Sequence, residues 1–229
     1  MRKIKFFVSK SIGKYKLFKS KNISKKIFLG PNVQFFGIKN IIIKDNCTIG
    51  EYSNFVINNR TNNDIQLRIG KNVYLGRNNF ITVGKLVQIG DYSIFGNNCS
   101  LIGAGKIFDD PMKPYAMSGI SLEKSIFIGV NCWLGNDSSV IGNVRIGHGS
   151  IIGANTVVTK DVPPFSMVIG NPGKIVKTFN FTTNSWESEN NESNNSKYFD
   201  ENEYLIYLRS NAGDSFLAYS SASSRLGHL

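Results

Sequence analysis

From Ile128 to Val162 the chain repeats every six residues, and little else about it constrains the fold as strongly. Aliphatic residues stand at Ile128, Leu134, Val140, Ile146, Ile152 and Val158. Gly follows directly at Gly129, Gly135, Gly147 and Gly153. The fifth place of each unit is small or β-branched: Cys132, Ser138, Val144, Ser150, Thr156 and Val162. A step of six is neither the 3.6-residue period of a helix nor the alternation of a two-faced sheet. It is the signature of a parallel β-helix, in which short strands wind round a prism. The aliphatic residue is expected to face the core. The fifth residue must be small because it faces the same crowded interior. Gly is expected to permit the corner, since it lacks a Cβ and tolerates unusual backbone angles.

The repeat is followed by VTKDVPP (Val158 to Pro164) and VIGNPGK (Val168 to Lys174). With these elements in this order, residues 29–180 resemble the hexapeptide-repeat acyltransferases, most of all the sugar, capsule and lipopolysaccharide O-acetyltransferases. The resemblance implies an all-β fold: a left-handed parallel β-helix, shaped as a triangular prism, with an extruded loop and short terminal appendages. The hand comes from the resemblance alone, because it departs from the usual right-handed crossover. Also implied are a homotrimer, acetyl-CoA as donor and a sugar or lipid-linked glycan as acceptor. The expected activity is acetyl transfer to a sugar hydroxyl of a surface polysaccharide or its precursor. The alternative is a catalytically impaired β-helix that binds a glycan, a nucleotide or a partner enzyme.

Three divisions are expected along the 229 residues: a basic arm at 1–28, the repeat domain at 29–181 with an extruded loop at 103–127, and a linker and tail at 182–229. Ten cations, from Arg2 to Lys26, precede the first acid, Asp45. Ile4, Val8, Ile12 and Tyr15 could share one helical face, a pattern that suits an anionic membrane surface. A solvated flank packed on the first coil is the plain alternative. No groove-reading motif accompanies the lysines, which argues against nucleic acid. No run of 18 apolar residues would span a bilayer, and the longest apolar run of the arm, Phe6 to Val8, is too short for a signal peptide. The expected location is cytoplasmic, or peripheral on the inner face of the membrane. The asparagine- and serine-rich stretch 183–199 reads as a linker or disordered hairpin, and Glu203 to Arg209 as a short helix.

Cys47, Cys99 and Cys132 each fall at a fifth, inward place, so they read as core residues rather than disulfide or metal ligands. With two histidines in the whole chain, a three-histidine zinc site cannot be built in one subunit, and no metal is expected. His148 reads as an exposed corner residue.

By motif position, the resemblance places donor contacts at Asn136, Ala154, Thr159 and Lys160, with Lys174 or Lys177 at the phosphates. Gly135 and Ala154 are small enough to let an extended ligand approach the backbone. The backbone N–H of Gly135 or Asn136 is the expected oxyanion donor, because fixed dipoles at developing charge carry much of such catalysis. The alternative is that these are only corner residues and a solvated lysine.

The family's chemistry rests on a loop histidine acting as base, and none lies between Val83 and Arg145 here. Asp110-Pro111-Met112-Lys113-Pro114-Tyr115 resembles the family's loop pattern, with Lys113 at the histidine place and Tyr115 beside the acceptor. Counting back from Trp133-Leu134-Gly135 points instead to Asp109. Lys113, Asp109 and Asp110 are therefore the catalytic candidates, although solvated Lys and Asp titrate near pH 10.4 and 3.9, far from a useful base. The alternative is that all three are solvated loop charges.

Overall fold

The computed structural model describes residues 21–61, 63–188 and 199–211. The proposed arm up to residue 20 and the tail from residue 212 lie outside the described residues. Among the described residues, twenty of the twenty-two short strands form three main sheets of nine, six and five strands, and the other two pair with each other in the extruded loop. Within the repeat every pairing is parallel, and Ile128 pairs with Ile146, eighteen residues on, so three six-residue units complete one turn. Successive units visit the five-stranded, nine-stranded and six-stranded faces in turn, which is a parallel β-helix.

The register follows the expected spacing. Ile128, Leu134, Val140, Ile146, Ile152 and Val158 are all buried, and so are all six fifth-place residues. Earlier coils extend the same column through Ile43, Ile49, Phe55, Ile69, Leu75, Ile81, Ile89, Phe95 and Leu101. Each large side chain withdrawn from water contributes about 1.5–3 kcal/mol, and no single coil could bury such a column by itself. The prism starts before residue 29: Ile27–Leu29 pairs with Cys47–Ile49, and Ile23 bridges Ile43.

The glycines serve a purpose other than the one expected. Gly129, Gly135, Gly147 and Gly153 are not among the glycines with positive φ. They are needed because the next coil passes too close: a Cβ on Gly129 would lie 2.5 Å from the backbone nitrogen of His148, and one on Gly135 2.6 Å from that of Ala154. The left-handed residue of each corner comes two places later, at Asn131, Asp137, Gly149 and Asn155. Asn and Asp adopt that conformation more readily than most residues, which accounts for the asparagines at these places.

The prism ends in an antiparallel addition to the nine-stranded face. Lys174–Asn180 pairs with Ser166–Ile169, and Ser185–Ser188 pairs back onto it. Among the described residues one α-helix, α1 (Glu201–Asn211), lies against the corner between the five- and nine-stranded faces. Glu201 accepts from the Val130 N–H at 2.8 Å, the Asn131 side chain donates to the Tyr204 hydroxyl at 2.6 Å, and Arg209 pairs with Asp91 at 3.1 Å. His148 is not an exposed corner residue. It is 7% exposed, packed between Phe165 and Tyr204, with Nε2 2.9 Å from the carbonyl of Phe199. Among the described residues no helix is long and apolar enough to cross a membrane, and no three His, Cys, Asp or Glu gather as a metal would need.

Candidate functional site

The sequence candidates map onto the two edges of the six-stranded face, at the end of the prism nearer Val158. One edge is the corner shared with the nine-stranded face. Its coils stack Gly76-Arg77, Gly96-Asn97, Gly135-Asn136 and Gly153-Ala154 in one column. The backbone N–H after each glycine points to the following coil, where a side chain can accept it. Asn97 Oδ1 takes the Arg77 N–H at 2.8 Å, and Asn136 Oδ1 takes the Asn97 N–H at 2.8 Å. The next position is Ala154, whose methyl group accepts nothing. The ladder of caps therefore stops, and the Asn136 N–H has no partner among the described residues. Asn136 is exposed and lies beside two small residues. A polar donor held in place and left unpaired is a ready hydrogen-bond site for a ligand carbonyl.

Gly135 does not share this property. Its N–H donates to the Ile152 carbonyl at 2.7 Å as part of the coil-to-coil ladder. Of the two expected oxyanion donors, only Asn136 is open. The Asn136 carboxamide is also committed to capping, so what this residue offers a ligand is its backbone. Beyond Ala154, the turn at 170–173 closes the column: Val157 N–H donates to Gly170 at 3.0 Å and Gly173 N–H to Val157 at 2.8 Å. Lys174 follows directly and is exposed, while Lys177 stands on the nine-stranded face opposite Met167.

The other edge is the corner between the six- and five-stranded faces. Thr159 and Lys160 lie there, both exposed, just after the last strand of the face, Val157–Val158. The extruded loop leaves the same corner two coils earlier. It is three residues shorter than expected, because Ser125–Ile128 is already a strand paired with Leu86–Ile89. Within the loop Gly105–Lys106 and Ile120–Ser121 form a small antiparallel ladder, and Tyr115–Met117 makes one 3-10 turn. Lys113 Nζ lies 3.5 Å from Asp110 Oδ2, with the two side chains 71% and 46% exposed. Asp110 Oδ1 accepts the Met112 N–H at 3.0 Å. Asp109 is exposed, and no hydrogen bond or ion pair occupies it among the described residues. Tyr115, Met112, Met117 and Phe108 are exposed too.

Sequence reasoning missed the break in the cap ladder. The signal was present as Asn97, Asn136 and Ala154, each directly after a corner glycine, but its meaning needed the coil register. It also missed a cleft of about 340 Å³ on the five-stranded face, lined by Gln88, Phe127, Arg145, Asp161, Pro164 and Glu201. There Arg145 sits over the Phe127 ring, 4.4 Å from its centre.

Residues 125–160 match the family model described as bacterial transferase hexapeptide (six repeats). A probable acetyltransferase of Mycobacterium tuberculosis is 33% identical over 122 residues, which cover 53% of this chain and 39% of that protein. The chain thus spans less than half of that relative. Among solved structures, a variant of AntD, an N-acyltransferase from Bacillus cereus in complex with dTDP-4-amino-4,6-dideoxyglucose and coenzyme A, superposes with a TM-score of 0.58. That match is 16% identical and covers 90% of this chain and 96% of the other. A hexapeptide-repeat acetyltransferase of Vibrio cholerae complexed with acetyl coenzyme A gives a TM-score of 0.50 at 22% identity, over 65% of this chain and 71% of that one. The resemblance read from the sequence holds for the repeat and for the fold.

Proposed function

We propose that this chain, built on the hexapeptide repeat of the bacterial transferases, moves an acetyl group from acetyl-CoA to a sugar acceptor of a surface polysaccharide or its activated precursor. The observation that carries the reading is the open Asn136 N–H beside Gly135 and Ala154. A thioester carbonyl set against it would accept one hydrogen bond in the ground state. It would accept a stronger one as negative charge develops on oxygen, and this difference is what lowers a barrier. The N–H is fixed by the coil, so little reorganisation is needed when the charge appears. The rest of the donor would run along the corner. Lys174 would meet the phosphates as a point charge with Lys177 as a further cation, and Thr159 and Lys160, at the other edge of the face, would reach the donor from a neighbouring subunit of the trimer.

The loop would meet the acceptor, with Tyr115 against the sugar and Lys113, Asp109 or Asp110 as the acid–base candidates. The reading includes a homotrimer. It also includes recruitment by residues 1–28 to an anionic inner-membrane surface. The second reading is binding without transfer, and the absence of a loop histidine favours it.

Calorimetry with acetyl-CoA, followed by thiol release with a panel of sugar acceptors, tests the proposal. Binding with turnover is the expected result. Lys160→Ala is expected to weaken binding about tenfold, as loss of one charge-assisted contact does. Binding without turnover on any acceptor supports the second reading, and no binding of acetyl-CoA removes the transfer reading.

A further inference from the structure

We infer that the end of the prism carrying Ile27–Leu29 is itself a docking face for an anionic lipid surface, with Lys44 and Lys71 of the folded coils in the contact. This extends the recruitment reading above from residues 1–28 to the prism, and it does not depend on the transfer reading. The net charge of the chain is lodged at one end. Residues 1–71 hold fifteen of the 27 Lys and Arg and three of the 16 Asp and Glu, a net charge of +12. The other 158 residues hold twelve and thirteen, a net charge of −1. The excess is not confined to the arm, because residues 21–71 alone hold eight cations against three acids. The coils stack in chain order, so this bias in sequence becomes a positive field at one end of a rod.

The cations at that end are free to meet a partner. Lys21, Lys44 and Lys71 line one hollow of about 340 Å³ at the corner between the five- and nine-stranded faces, beside Asp45. All three residues are exposed, and none has an ion pair among the described residues. Two of the nearby acids are engaged: Asp45 accepts the Ser24 hydroxyl, and Glu51 pairs with Arg77 at 3.3 Å. The first coil also leaves two aromatic rings in water, Phe28 at 49% and Phe36 at 44% exposure. They stand on Ile27–Leu29 and Gln34–Phe36, the terminal strands of the nine- and six-stranded faces. Ammonium groups with aromatic rings among them suit the bilayer interface, where lysines meet lipid phosphates and rings lie at headgroup level. Lysines on an open sheet edge also prevent strand addition, and the test separates the two roles.

The test measures co-sedimentation of the full chain with vesicles. One set is phosphatidylcholine alone, and the other is equal parts phosphatidylcholine and phosphatidylglycerol. Binding to the anionic vesicles alone is expected, falling steeply with salt. Lys44→Gln/Lys71→Gln is expected to weaken it at least about tenfold, since each lysine at such a surface is worth about fivefold. Lys85→Gln/Lys106→Gln removes the same charge from later coils and is expected to change it less than about twofold. Both variants are expected to keep the thermal midpoint of the unmodified protein. Full vesicle affinity of Lys44→Gln/Lys71→Gln overturns the inference and leaves the lysines to edge protection. Equal loss in both variants overturns it too, because charge would then count wherever it sits. Tighter binding to duplex DNA than to the vesicles at the same salt assigns the end to nucleic acid and overturns the lipid surface. No vesicle binding by the unmodified protein overturns recruitment altogether, while acetyl-CoA calorimetry judges the transfer reading separately.

Discussion

Cys132 shows how completely a single place in the repeat decides a residue's chemistry. Its Sγ lies 3.2 Å from the Gly147 carbonyl, the same bond that Ser93 makes to Gly129 at 2.9 Å one coil earlier. Burial pushes the thiols of Cys47 and Cys132 up to about 12, and burial raises that of Cys99 as well. All three are therefore expected to resist thiol reagents until the protein unfolds, since the thiolate is the reactive form. Rapid labelling of all three in the native state would contradict the register. The sign for stability follows from the raised pKa. Below the unfolded value of about 8.5 the thiols are protonated in both states and have no effect on pH dependence. Between there and about 12 only the unfolded chain loses the protons, so stability falls across that window. Thermal melts from pH 8 to 11 should show the fall, and substituting the cysteines by serine should reduce it. The inward place of each cysteine was legible from the six-residue count. The reason for glycine was not, because it depends on how near the next coil runs.

Among the elements, the corners and α1 are held by side chains that cap backbone donors. Asp91 takes the Lys71 N–H at 2.9 Å with one oxygen and Arg209 with the other. Glu201 does the same for Val130 from 71 residues away. Glu201→Ala is expected to cost about 1–3 kcal/mol by leaving the Val130 donor unpaired. It should also make the segment carrying α1 more sensitive to limited proteolysis, and an unchanged melt with unchanged cleavage would contradict the capping role. Gly129→Ala should cost about the same or more, because its new methyl would meet backbone and not a flexible side chain. Full stability of that variant would mean that the coils are spaced more widely. The helix itself could be read from the sequence, at residues 203–209 against the observed Glu201–Asn211. Its docking could not, since the contacts of Glu201, Tyr204 and Arg209 share no period with the repeat. The burial of His148 was hidden for the same reason: the Tyr204 and Phe199 that enclose it lie some 50 residues beyond the corner.

At the scale of the whole molecule, the six-residue period determines three faces, and the motifs Trp133-Leu134-Gly135, Gly153-Ala154 and Thr159-Lys160 lie along the edges of one of them. Which edge is open for chemistry depends on hydrogen bonds between coils, and so could be seen only in three dimensions. The trimer implied by the resemblance remains a proposal. The nine-stranded face fits it, with Phe28, Ile94 and Trp133 exposed in one outward column. Sedimentation at micromolar concentration is expected to give three times the mass of 25.5 kDa, and a monomer would count against a site shared between subunits.

The central claim is that the interrupted cap ladder leaves the Asn136 N–H free to serve the reaction, and Ala154→Asn tests it most directly. This substitution places a carboxamide where Asn97 and Asn136 carry theirs, so it should accept the Asn136 N–H and complete the ladder. The thermal midpoint is expected to hold or rise, while turnover of acetyl-CoA falls about a hundredfold or more, the scale of losing one oxyanion donor. A folded, equally stable Ala154→Asn protein with full turnover would contradict the account.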